Sequence, residues 1–184
     1  LHDASVWVDV DEFEAAQRLY QESTPIAAPD VERLERSFHL YKDEFLAGFH
    51  LPEAPAFEDW MLIQREHLRE RALRGLSLLT AHFIETRQLR RGLAASRQLL
   101  TLEPWHEAGY QQRMILLAWN GERSAALQQY ELCRSMLADE FGLEPDENTT
   151  DLYERIKAGE FDPAEPGGQL ERAPTWGAPW LEEV

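Results

Sequence analysis

Apolar residues recur along the middle of this chain at intervals of mostly three or four. The run is Phe57, Trp60, Met61, Leu68, Ala72, Leu76, Leu79 and Phe83, which is the spacing of one face of a long α-helix. Pro55 stands just before it, at a first-turn position where its missing N–H costs nothing. At ~1.5 Å per residue such a helix spans ~45 Å, enough to project beyond a single helical repeat and brace whatever precedes it. Phe57 and Trp60, both on the apolar stripe, are expected to anchor it against N-terminal helices as buried residues.

Shorter helical patterns flank this one. Phe13, Ala16, Leu19 and Tyr20 form the first, with Asp9, Asp11 and Glu12 suited to its positive N-terminus, and it stops before Pro25. Val31, Leu34, Phe38 and Leu40 or Tyr41 form the second, with Asp30 as the expected cap and Pro29 kept out of the helix. Gly48 and Pro52 interrupt the segment between that helix and the long one. After the long helix, Leu89 to Leu102 make a return helix closed by Pro104, and His106 to Trp119 the next, ended near Gly121. Ser124 is the expected cap of a helix running to Phe141, where Gly142 supplies a left-handed stop. Asp146 can cap a last helix that carries Leu152, Tyr153 and Ile156 and closes at Gly159. No convincing alternating β pattern occurs. Beyond Phe161, prolines and glycines from Pro163 to Pro179 mark a linker or tail.

Two of these helix pairs repeat each other. In one register Leu76, Phe83, Gly92, Leu93, Ser96 and Leu99 fall opposite Tyr110, Leu117, Ala126, Leu127, Tyr130 and Cys133, 34 residues further on. That interval is the period of a helix-turn-helix repeat that stacks into a solenoid. Small residues fall where paired helices approach closely. One position departs, since Leu79 is matched by Arg113. Two repeats alone do not bury a continuous core, so the flanking helices must complete it. The expected fold is all-α: a tetratricopeptide-like helical repeat domain of about seven helices over residues 8–160, with an irregular Pro/Gly-rich tail over 161–184.

With 184 residues, 43% of them hydrophobic, the chain can close one core. Its 34 acidic and 18 basic residues give a formal net charge of −16, which repels a phosphate backbone unless the basic residues segregate. Arg65, Arg69, Arg71 and Arg74 are instead interleaved with Glu66 and Glu70, as on a solvated, salt-bridged face. Arg87, Arg90, Arg91 and Arg97 are expected to form no more than a local positive patch at a helix-helix turn. Useful affinity for duplex DNA is not expected, whereas a basic protein partner suits the charge.

Catalytic chemistry is hard to find. The single cysteine, Cys133, excludes an intrachain disulfide and any zinc site of several thiolates, and it occupies a small-residue packing position. His67 beside Glu66 has no second ligand four residues away, so His39, His67 and His82 read as helix-face residues rather than metal ligands. Gly167 and Gly168 do not lie between a strand and a helix, and no nucleophile elbow frames a serine. Nothing apolar surrounds Asp9, Asp11, Glu12 and Glu14 that would raise a carboxyl pKa. No enzyme activity, cofactor or metal is expected. Neither a membrane span nor a signal sequence is visible, so the cytoplasm is the expected compartment. The opening Leu1-His2, without an initiator methionine, suggests a piece of a longer protein.

EFLAGFHLPEAPAFEDWMLIQREHLRERAL (Glu44 to Leu73), GERSAALQQYELCRSMLADEFGLEPDENTTDLYERI (Gly121 to Ile156) and VDVDEFEAA (Val8 to Ala16) resemble the bacterial transcriptional activator domain of the Streptomyces antibiotic regulatory proteins. The resemblance covers about Val8 to Gly159. It implies an all-α, tetratricopeptide-like regulatory scaffold, which in that family usually follows a winged-helix DNA-binding domain. The partners it implies are that DNA-binding domain, a second copy, or the transcription machinery including RNA polymerase. No winged-helix segment is visible here, so direct promoter recognition does not transfer. The alternative is a helical-repeat scaffold or effector-sensing module of another signalling protein.

Where such a scaffold would bind is suggested by analogy with tetratricopeptide grooves. The first helix of each pair lines the concave face, which puts Ile84, Ile115 and Trp119 on or near a candidate interaction groove. Trp176 and Trp180 stand out in the tail and are candidate anchors for such a groove, in the same chain or a neighbouring copy.

Overall fold

A computed structural model describes residues 8–21 and 28–160, and within them the chain forms seven helices. These are α1 (Asp9–Gln21), α2 (Ala28–Ser37), α3 (Pro55–Glu85), α4 (Leu89–Leu102), α5 (Glu107–Trp119), α6 (Arg123–Phe141) and α7 (Glu147–Ala158). The fold is all-α, with no strand among the described residues. Helices adjacent in sequence pack on one another: α1 on α2, α3 on α4, α5 on α6, and α7 against α6 and α5. Three-residue connections such as 86–88 and 120–122 turn each pair back on itself.

Local chemistry accounts for most helix ends. Pro55 begins the 31-residue α3. His106 caps α5, its Nδ1 accepting the Gly109 N–H at 2.9 Å. Asp146 caps α7, with Oδ1 accepting the Thr149 N–H at 2.8 Å. Gly142 and Gly159 end α6 and α7 in the left-handed region, at φ +66° and +81°. Two expected caps differ. Pro29 and Asp30 lie inside the first turn of α2, where proline is tolerated and a carboxylate meets the helix dipole. α6 starts at Arg123, so Ser124 is inside the helix and Glu122 precedes it without a side-chain cap.

The core has two main centres. Phe13, Val31, Leu34, Phe38, Leu68, Leu76, Leu79, Phe83 and Leu99 unite α1 to α4. Ile84, Met114 to Ala118, Ala126, Leu152 and Ile156 unite the end of α3 with α5, α6 and α7. Small residues stand where the repeat register placed them: a Cβ on Gly92 would lie 2.7 Å from Leu116 Cδ2, and Ala126 and Cys133 are fully enclosed. Arg113, the position that breaks the repeat, reaches across to α4, donating to the Leu93 carbonyl at 3.1 Å and the Ser96 hydroxyl at 3.2 Å. It joins two repeats by hydrogen bonds at the position where Leu79 contributes apolar packing.

Arginines expected on a solvated face mostly leave their own helix. Arg71 pairs with Glu14 of α1 at 2.8 Å, Arg65 with Glu44 at 3.3 Å, and Arg69 with Glu103 just past α4 as well as with its neighbour Glu66. The Arg69–Glu103 pair also marks the level at which α4 stops. The first half of α3, Pro55 to Leu68, therefore extends beyond the shorter helix that covers its second half.

Candidate protein-interaction surface

Phe57 and Trp60 lie in the half of α3 that extends beyond α4, and the expectation that both are buried anchors is corrected for Trp60. Met61 and Leu68 face the core at 3% and 5% exposure, but Trp60 is 45% exposed and Phe57 half-buried. Met61 and Leu68 lie on the covered side of α3, and Trp60 is turned away from it.

What meets these rings is the connection from residue 38 to 54. Phe45 packs edge-on to Trp60 with ring centres 5.8 Å apart, Trp60 lies 5.5 Å from Phe57, and Phe57 lies 5.7 Å from Phe49. Four aromatic side chains thus form one row, flanked by exposed Leu46 and Leu51. Ile63, one turn beyond Trp60 on α3, is also exposed.

Arg65 and Glu58 hold the connection in place. Arg65 Nε donates to the Phe45 carbonyl at 2.8 Å and Nη2 to the Leu46 carbonyl at 3.0 Å. Glu58 accepts the Leu51 N–H at 3.2 Å, and His50 Nδ1 lies 2.9 Å from the same carboxylate. These bonds compensate for backbone strain, because Leu46 and Glu53 sit at φ +53° and +63°, where a Cβ is disfavoured. Beside Phe45 and Leu46 opens a cleft of about 320 Å³ with Val10, Phe13 and Leu68 at its apolar wall. Asp9, Lys42, Asp43 and Glu44 also line it.

The sequence-derived groove residues fall elsewhere. Ile84 and Ile115 are enclosed in the C-terminal core, at 8% and 5% exposure. Trp119 packs against the same core with the Arg87 guanidinium 3.6 Å above its ring. Trp176 and Trp180 lie outside the described residues. The four arginines of the expected positive patch are partly engaged: Arg91 grips Glu35, with its closest contact at 2.6 Å, and Arg87 covers Trp119. The Glu35 hydrogen bond raises the Arg91 pKa.

The described residues contain no cluster of three or more His, Cys, Asp or Glu residues placed to hold a metal ion. Burial, with Glu107 and Asp146 nearby, pushes the Cys133 thiol up to about 12, so it stays protonated. Burial lowers the His106 pKa, and its Nδ1 is occupied by the helix cap. No described helix is long and apolar enough to cross a membrane.

Sequence reasoning named Phe57 and Trp60 but missed their partners Phe45, Leu46 and Phe49. The available signal was the apolar content of EFLAGFHL in a segment broken by glycine and proline, where no helical period explains it.

No curated protein matches the chain. The family model of the bacterial transcriptional activator domain matches residues 8–157, which span all seven helices nearly to the end of α7. The chain belongs to the bacterial transcriptional activator domain family.

Proposed function

We propose that this domain is the protein-binding module of a bacterial transcriptional regulator of the Streptomyces antibiotic regulatory protein type. It acts by contacting an attached DNA-binding domain, a second copy, or the transcription machinery, and not by catalysis or by reading DNA itself. The observation that carries this reading is the row Phe45, Trp60, Phe57 and Phe49, displayed on a domain of the activator family. Exposed apolar rings held by a pinned connection suit protein recognition. The charge of −16 argues against a phosphate backbone as the ligand.

The test is a bacterial reporter driven by a heterologous DNA-binding domain fused to the 184-residue chain. Transcription above that of the DNA-binding domain alone is the expected result. Equal transcription from both would refute the reading.

A further inference from the structure

The ring row and the adjoining cleft differ in charge from an ordinary apolar patch. Residues 42–66 carry six carboxylates; Glu44 is paired with Arg65, Glu66 with Arg69, and Glu58 faces His50, which leaves Asp43, Glu53 and Asp59 against Lys42. Asp9 adds a carboxylate at the cleft. The surface is therefore apolar at its centre and acidic at its edge, and its cleft can take a large apolar side chain beside the rings.

We propose that this surface docks a basic amphipathic helix presented by another protein, with apolar anchors on the Phe45, Phe49, Phe57 and Trp60 row and in the cleft, and lysines or arginines opposite the acidic edge. The proposal rests on the reading of the chain as a protein-binding module, and it names the chemistry of the partner. Charge selects this occupant. A second copy docking through the same face about a two-fold axis would bring Glu53, Glu58 and Asp59 against their own equivalents or near neighbours. Within these 184 residues the segments outside the described ones are poor complements as well, and residues 22–27 carry Glu22 and no lysine or arginine. Residues 1–7 contain Asp3 and no lysine or arginine, and residues 161–184 set Asp162, Glu165, Glu171, Glu182 and Glu183 against Arg172 alone. A basic helix from outside these 184 residues meets both the apolar centre and the edge.

The experiment is calorimetric titration of the purified 184-residue chain with a synthetic helical peptide of about 18 residues, leucine and tryptophan on one face and lysine and arginine on the other. Two controls accompany it, the same composition in scrambled order and the same face with glutamates replacing the basic residues. The expected result is affinity for the amphipathic basic peptide at least about tenfold above both controls, weakened by salt through the edge charges. The double variant Phe49→Ser, Trp60→Ser should lose at least about tenfold in affinity while its helix content and cooperative unfolding hold, since neither side chain belongs to the buried core. Equal binding of the scrambled or the acidic peptide would overturn the proposal, as would unchanged binding by the folded double variant. So would a wild-type dimer that the double variant dissociates, or a chain lacking residues 161–184 that binds about tenfold tighter, since either result gives the surface to an occupant of the same sequence. The fusion reporter keeps the two readings apart: full activation by the double variant removes this surface and leaves the activator reading standing.

Discussion

Glu107 on α5 accepts the hydroxyl of Thr149 on α7 at 2.6 Å. The same hydroxyl receives Gln111 Nε2 at 2.5 Å, and Glu107 also accepts the Asp146 N–H at 2.7 Å. Thr149 is fully enclosed, so this polar chain has little water to fall back on. It fixes the start of α7 against the preceding repeat. Thr149→Val keeps the shape and removes the hydroxyl, leaving Gln111 and Glu107 short of a partner. The expected loss is about 1 to 3 kcal/mol of stability, measured by urea denaturation, with faster amide exchange confined to α7.

Gly92→Ala is expected to destabilise the domain even though alanine favours a helix. The added methyl would lie 2.7 Å from Leu116 Cδ2 and 3.3 Å from Phe83 Cβ, and neither side chain has open space to move into. Overpacking costs about 1 to 3 kcal/mol and the helix preference returns up to about 1, so a lowered thermal midpoint is the expected net result. A raised midpoint would show that α4 and α5 can separate freely.

Trp60→Ala and Phe83→Ala should differ clearly in urea titrations. Phe83 is fully buried and its truncation should cost about 3 to 5 kcal/mol, whereas Trp60, at 45% exposure with two ring contacts, should cost about 1 to 2 kcal/mol. Comparable losses would mean that Trp60 belongs to the core after all.

Cys133 should resist a thiol reagent at pH 8 in the folded chain and react fully once denatured. Its folded pKa is raised to about 12, from a reference near 9.0, so between those values the unfolded thiol gives up its proton while the folded one keeps it. The thiol's contribution to stability is therefore fully present below pH 9 and lost as pH rises toward 12. Denaturant titrations of wild type and Cys133→Ala across that window should converge as pH rises. A constant difference between them would refute the shift.

Random duplex DNA should not bind the chain with sub-micromolar affinity at near-physiological salt. The net charge is −16, and Arg87 and Arg91 are engaged by Trp119 and Glu35 instead of forming an open basic face. An electrophoretic shift at those concentrations would refute this.

The sequence by itself determined what depends on neighbours three or four residues away. The period from Phe57 to Phe83 specified α3, Pro55 its start, Gly142 and Gly159 two helix ends, and the 34-residue register the pairing of Gly92 and Ala126 with close helix contacts. Each of these is written into local torsion preferences or a repeating face. Only the tertiary structure decided which part of a face is covered. Trp60 and Leu68 share one apolar stripe on α3, yet one is 45% exposed and the other 5%. Met61, beside Trp60 but one step around the helix on the Leu68 side, is 3% exposed, so the difference lies in which side of α3 its distant neighbours cover and not in how far along the helix a residue stands. Likewise Ile84 and Ile115 have the spacing of groove residues, but both are enclosed in the core that joins the end of α3 to the C-terminal helices. Helix periodicity says which side chains point the same way. Burial depends on partners far away in the chain, whose length and placement no local pattern records.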